Sequence, residues 1–173
     1  MEQNNCVVLD DADLQAAAQK GPVAFLNLIL DAIGEVTGDE FGAEVMAKLS
    51  GNQHALNSLR ILRDEFETGG FVNLAQDGFG PYIFDNPFAK ALRLWGAHDL
   101  SQLVYKAKRV FDANRIVLTT VVDNDDDFGA LFDKMQPLFE KIEIEVEAEL
   151  PAAMTAIAAY VDQNLEQFIV IRK

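Results

Sequence analysis

The sequence predicts a mainly α protein: a single compact helical domain over residues 1–173, with room for a small β element around 116–122 or 142–150. Three observations predict it. Apolar residues recur every three or four positions along most of the chain. Prolines and glycines stand where helices would start and stop. And 173 residues, 50% of them hydrophobic at a mean hydropathy of +0.04, suffice for one filled core and are too apolar for disorder.

Taken in order, Pro22 suits the first position of a helix, and Phe25, Leu26, Ile29, Leu30 and Ile33 then share one face. Phe41, Val45 and Leu49 continue at four-residue steps until Ser50-Gly51 stops them. Leu56, Leu59, Leu62 and Phe66 form the next stripe, which leaves Arg60, Arg63, Asp64 and Glu67 for water and ends at Gly69-Gly70. Asn86-Pro87 reads as cap and first residue of a helix carrying Phe88, Ala91, Leu92 and Trp95, with Gly96 as its stop. Asp99 with Gln102 resembles a capping box ahead of Leu100, Leu103, Val104, Ala107 and Phe111. Phe128 to Ile142 keeps the helical period across Pro137, where a kink or break is expected. Pro151 should open a last helix with Met154, Ile157, Val161, Leu165 and Phe168 inward. The aromatic segment Phe71, Phe79, Tyr82, Ile83 and Phe84 reads as core rather than interface.

Two stretches resist the helical period. Ile116 to Val122 is β-branched and reads as a short strand. Ile142, Ile144, Val146, Ala148 and Leu150 alternate with Glu143, Glu145, Glu147 and Glu149; that period of two says strand, while Glu and Ala propensity says helix. On a strand these carboxylates would stand roughly 6.6 Å apart along one side. On a helix they would point in several directions.

Charge is the outlier. Twenty-eight acids against 14 bases give a net charge of −14 and a pI near 4.4. Residues 1–45 hold nine acids and only Lys20, residues 116–173 hold twelve acids and four bases, and the middle is close to neutral. Such a surface repels nucleic acid and anionic lipid, so direct binding to either is not expected. No stretch approaches the length of a spanning helix, no secretory signal is evident at Met1–Asn5, and the single Cys6 fits a reducing compartment, so the expected location is cytoplasmic.

Catalytic chemistry is not evident. His54 and His98 fit no metalloprotease or zinc pattern, and neither a nucleophile elbow nor a P-loop is present. No cofactor, catalytic residue or metal ligand is assigned, and the expectation is a non-enzyme. The run Asp123-Asn124-Asp125-Asp126-Asp127 fails as an EF-hand, which would need Gly and Glu where Phe128 and Lys134 stand. Its simplest role is to cap the following helix and oppose its positive end; Asp10, Asp11 and Asp13 precede helix-favouring residues in the same way. Rows of carboxylates can nevertheless occupy a basic surface made for DNA phosphates, through an association that salt weakens.

Gly69-Gly70-Phe71 through Asp77-Gly78-Phe79-Gly80, then Ala89 to Gly96-Ala97 and on to Leu103, resembles the core of a helical bacterial domain-of-unknown-function family. The length and acidic ends of the whole chain are similar to the nineteen-kilodalton bacterial DNA-mimic proteins within it. The resemblance implies a helical homodimer that occupies the DNA-binding face of a helix-turn-helix transcription factor and frees its operator. The signature glycines and aromatics lie in the neutral middle and serve turns and core. No family motif selects among the carboxylates, so the partner-binding candidates are Asp10, Asp11, Asp13, Asp123, Asp125, Asp126, Asp127, Glu143, Glu145, Glu147 and Glu149. The same charge logic serves an alternative, an immunity-type acidic inhibitor of a nuclease toxin. A metal-dependent hydrolase using the aspartate cluster is a third reading.

Overall fold

The computed structural model describes residues 6–38 and 42–173. Strand β1 (Val8–Asp10) runs straight into α1 (Asp11–Lys20), and Gly21, at φ 122°, turns the chain into α2 (Pro22–Thr37) with its proline at the predicted start. Helix α2 buries Phe25, Leu26, Ile29, Leu30 and Ile33. The helix predicted through Phe41, Val45 and Leu49 shrinks to a single turn, α3 (Ala43–Met46), with Phe41 outside the described residues. Ser50 does end the segment, as predicted. It caps α4 (Gly51–Thr68) through a reciprocal box in which its hydroxyl accepts from the Gln53 N–H and Gln53 accepts from the Ser50 N–H.

Four helices follow: α5 (Phe71–Gln76), α6 (Gly80–Phe84), α7 (Phe88–Leu94) and α8 (His98–Ala113). Helix α7 starts one residue later than predicted and has no side-chain cap; Asn86 donates its NH2 to the Tyr82 carbonyl. Gly96, at φ 87°, does end it. No capping box forms at Asp99, since α8 already begins at His98 and Asp99 sits inside its first turn. Residues predicted as a strand at 116–122 instead open with α9 (Arg115–Thr119), where Thr119 and Thr120 return their hydroxyls to carbonyls one turn back. The strand reading of 142–150 is overturned as well. Those residues lie mid-way along α10 (Asp125–Gln163), a helix of 39 residues that continues through both Pro137 and Pro151.

Pro151 therefore opens nothing. A helix tolerates a proline when the carbonyl that loses its donor can be hydrated. Here both prolines are exposed, and the carbonyls released four residues earlier belong to Asp133 and Glu147, also exposed. The inner face of α10 buries Met135, Phe139, Val146, Met154, Ile157 and Val161 against α2, α5 and α8. Phe71, Phe84, Phe111 and Phe139 form a contiguous ring cluster at centroid separations of 4.9–5.9 Å. Phe71, Ile83 and Phe84 are core, as predicted.

The β element is elsewhere. After a single 3₁₀ turn (Leu165–Gln167), β2 (Val170–Arg172) pairs parallel to β1, with Val8 opposite Val170 and Asp10 opposite Arg172. That ladder ties the two ends of the chain together.

One long-range bond fixes α10 on α5. The Phe71 N–H, at the first position of α5, donates to the Glu143 carboxylate at 2.9 Å. Gly70, at φ 82°, leaves the space, since a methyl there would overlap that carboxylate. Gly78 has the same sign of φ and open space around it. Both G70A and G78A should destabilise through backbone strain, on the order of 1 kcal/mol. G70A should cost about 1 kcal/mol more, because it must also evict the cap. Equal losses in urea unfolding would show that Glu143 contributes nothing there.

Candidate functional site

The carboxylates named from sequence separate into three structural settings. The first is the start of α1. Asp10 stands at its N-cap position and faces Arg172 across the β1–β2 ladder; the guanidinium donates to both carboxylate oxygens, at 2.6 and 3.0 Å. Those hydrogen bonds hold the Asp10 carboxyl below its ordinary range. Asp10 is ionised but locally neutralised. Asp11 accepts from the Gln15 amide, and Asp13 is exposed in the first turn.

The second setting is the start of α10. Asn124 is the cap, accepting from the Asp127 N–H at 2.8 Å while its amide donates to the Asp127 carboxylate. Asp125, Asp126 and Asp127 fill the first turn, where the helix end favours negative charge. All three are exposed, as is Asp123.

The third is the glutamate series, and here the helix rewrites the geometry. Alternate residues on a helix differ by about 200° in direction. Glu143 turns inward to cap α5; burial raises its pKa, against the Phe71 N–H and the Gln136 amide. Glu145 faces α8 and lies 3.8 Å from the Lys106 ammonium. Glu149 borders the same concavity as Asp99, Lys106 and Glu145. Only Glu147 points freely outward, on the rim of a second concavity with Glu67, Phe66 and Arg63.

A different row replaces the one expected on a strand. Asp126, Asp133, Glu140 and Glu147 follow one another at seven-residue intervals along α10, and all four are exposed. Seven residues nearly complete two turns, so the four share one side of the helix about 10.5 Å apart, with a drift of about 20° per step. The stripe spans about 32 Å. Among the described residues none of the four makes an ion pair, whereas Asp31, Asp64, Asp85 and Asp112 elsewhere are all engaged by arginines or lysines. Ile144, 63% exposed and about 40° around the helix from Glu140, gives the stripe an apolar edge. Asp133 and Glu140 do not stand out in the sequence because each is a single acid followed directly by a lysine, Lys134 or Lys141; the available signal is the seven-residue interval.

A separate perturbed carboxyl is Glu65, near the end of α4. Its pKa is pushed up to about 7, first by burial and then by the neighbouring Asp77 and Asp64 carboxylates. One of its oxygens is buried without a hydrogen-bond partner among the described residues. Between the ordinary carboxyl pKa and about 7, the folded state holds a proton that the unfolded chain has released. Stability should therefore fall as pH rises through that window. Glu65→Gln should leave the melting temperature at pH 4.5 unchanged and raise it at pH 8; an identical difference at both pH values would contradict the assignment.

No helix of the described residues is long and apolar enough to cross a membrane, and no group of three or more His, Cys, Asp or Glu among them could hold a metal. His54 is committed to Tyr82 through Nδ1 at 2.8 Å, and His98 is exposed. The DNA mimic protein DMP19 of Neisseria meningitidis serogroup B (strain ATCC BAA-335 / MC58) is 31% identical to the chain over 150 residues, 87% of this chain and 90% of that protein. Residues 47–164, from just before α4 to the end of α10, match the model of the DMP19-like protein family. With its glycine and aromatic signature placed at the turns and core of that region, the chain belongs to the DMP19-like protein family.

Proposed function

We propose that this protein is a non-enzymatic, cytoplasmic DNA mimic that occupies the DNA-binding surface of a helix-turn-helix transcription factor and keeps it from its operator. The observation that carries the reading is the unpaired stripe Asp126, Asp133, Glu140, Glu147. Its length of about 32 Å is close to one turn of B-DNA, the distance at which helix-turn-helix dimers read their half-sites. A rigid helix holds the charges in place before binding, so little ordering cost falls on association. The relative's printed name, a DNA mimic protein, supports the same reading.

Within this proposal the contact surface is Asp123, Asp125, Asp126 and Asp127 at the start of α10, continued by Asp133, Glu140 and Glu147. Glu143 and Asp10 serve the fold, and Glu145 is half-satisfied by Lys106. Asp11, Asp13 and Glu149 are peripheral to it. The proposed assembly is a homodimer, because a two-fold pair presents two stripes to two recognition helices.

The test is competition. An affinity pull-down at low and at high salt should yield a basic dimeric transcription factor that salt removes, and the protein should then release that factor from operator DNA in a gel shift without binding DNA itself. The triple reversal D133K/E140K/E147K changes exposed residues only, so it should fold and lose release by about two orders of magnitude. Full release by the folded triple variant would remove the stripe from the mechanism. Recovery of a nuclease in place of a regulator would transfer the surface to toxin inhibition.

A further inference from the structure

The surface has a second feature, opposite in character to the stripe. Helix α7, the start of α8 and the first turn of α4 enclose a groove of about 770 Å³, lined by Gly51, Asn52, Ala55, Pro87, Ala91 and Leu94 together with the cations Lys90 and Arg93 and with His98. Lys90, Arg93, Leu94 and His98 are all exposed, and Leu94 keeps 66% of its surface in water. Neither Lys90 nor Arg93 forms an ion pair with any described residue, although the chain carries twice as many acids as bases. Six bases, among them Arg60, Arg63, Lys108 and Arg115, are paired, and Lys90 and Arg93 belong to the eight that are not paired among the described residues; what distinguishes these two is that both stand on the edge of one apolar groove. A smaller cavity lined by His54, Ser58 and Tyr82 shares Gly51, Ala55 and Pro87 with the groove and extends it inward.

We propose that this groove docks an acidic, apolar peptide segment of a partner protein. The chemistry is specific on both counts. Ala55, Pro87, Ala91 and Leu94 offer a concave apolar wall to one or two large aliphatic side chains, and Lys90 and Arg93 stand at its edge for flanking carboxylates. Large polyanions such as nucleic acid feel the net charge of −14 and are repelled at range, whereas a short peptide with a few carboxylates meets mainly the local cations. A second copy of this chain is a poorer fit. Seating the acidic α10 of one molecule in the groove of another would cover the carboxylates that the proposed function needs exposed. The groove thus gives the protein a second recognition surface, on α7 rather than on the stripe.

The experiment uses the full chain, labelled with ¹⁵N, and a capped twelve-residue peptide containing two leucines flanked by glutamates. Amides of Gly51, Asn52 and Lys90 to Leu94 should shift on titration, and K90E/R93E should weaken binding by about tenfold. The same peptide with serines for leucines should bind at least about tenfold more weakly than its parent. Each substituted residue is exposed, so unchanged spectra elsewhere will show that the variant is folded. No shift in the groove, equal binding of the serine peptide, or full binding by K90E/R93E would overturn the proposal. So would shifts in the same amides on concentrating the protein alone, which would assign the groove to self-association.

Discussion

Everything in this molecule depends on α10 remaining one helix across two prolines. It contributes ten of the acids and packs on α2, α5 and α8. A break at Pro137 would turn the Asp126–Asp133 half of the stripe away from the Glu140–Glu147 half. The helix survives because Pro137 and Pro151 lie on its wet side, fourteen residues apart, where the two orphaned carbonyls can be hydrated. Burial on the opposite side, from Met135 to Val161, supplies the stability that a polyanionic helix lacks on its own. The capped, acidic first turn adds to it.

The fold sorts the chain's acids by assigning partners to some and withholding them from others. Asp31 and Asp64 neutralise Arg63, which also reaches Asn27 and so locks α4 on α2. Sequence reading left Arg60 and Arg63 to water, yet their side chains are only 18% and 19% exposed. Asp85 and Asp112 share Arg115 and Lys108. Those bases are engaged elsewhere, and the stripe carboxylates of α10 make no ion pair among the described residues, although Lys134 and Lys141 follow two of them in the chain. The raised pKa of Glu65 belongs to the same economy of charge: a buried carboxyl beside two others keeps its proton more readily than it ionises.

Most helices were legible because their punctuation is local. Pro22, Gly69-Gly70 and Gly96 act within a turn of where they stand, and the stripes of α2, α4 and α8 follow the 3.6-residue period. Errors arose where local signals were degenerate. Residues 142–150 satisfy a period of two, but Val146 is buried while Ile144 is 63% exposed, which no strand packed by its apolar face would allow. Of the β-branched run at 116–122, only 116–119 is helical, and Gln76 holds the non-helical remainder, donating to the Leu118 and Thr120 carbonyls and accepting from the Val122 N–H. The β1–β2 ladder was invisible, since three-residue strands 162 positions apart leave no mark on either local sequence. Of the acids chosen from sequence, those grouped at 123–127 kept an exposed setting. Glu143 was chosen for its alternation and is in fact the cap of α5.

That last reassignment bears on what mimicry requires of a protein. A DNA-like surface needs anions that are fixed, exposed and unpaired, and each property conflicts with stability: fixing costs entropy, and unpaired like charges repel. On α10, the contact surface proposed above, the conflict is resolved by division of labour within one helix. Glu143, turned inward, spends its carboxylate on a backbone N–H and anchors the helix to α5. Glu140 and Glu147, three residues before it and four after, remain outside and press their charge on it, which helps raise its pKa. The helix thereby holds an outer row of charges at roughly 10.5 Å intervals, wide enough that repulsion across water stays small at physiological ionic strength. A strand would have set Glu143, Glu145, Glu147 and Glu149 at roughly 6.6 Å, inside the screening length and with no inward residue left to anchor them.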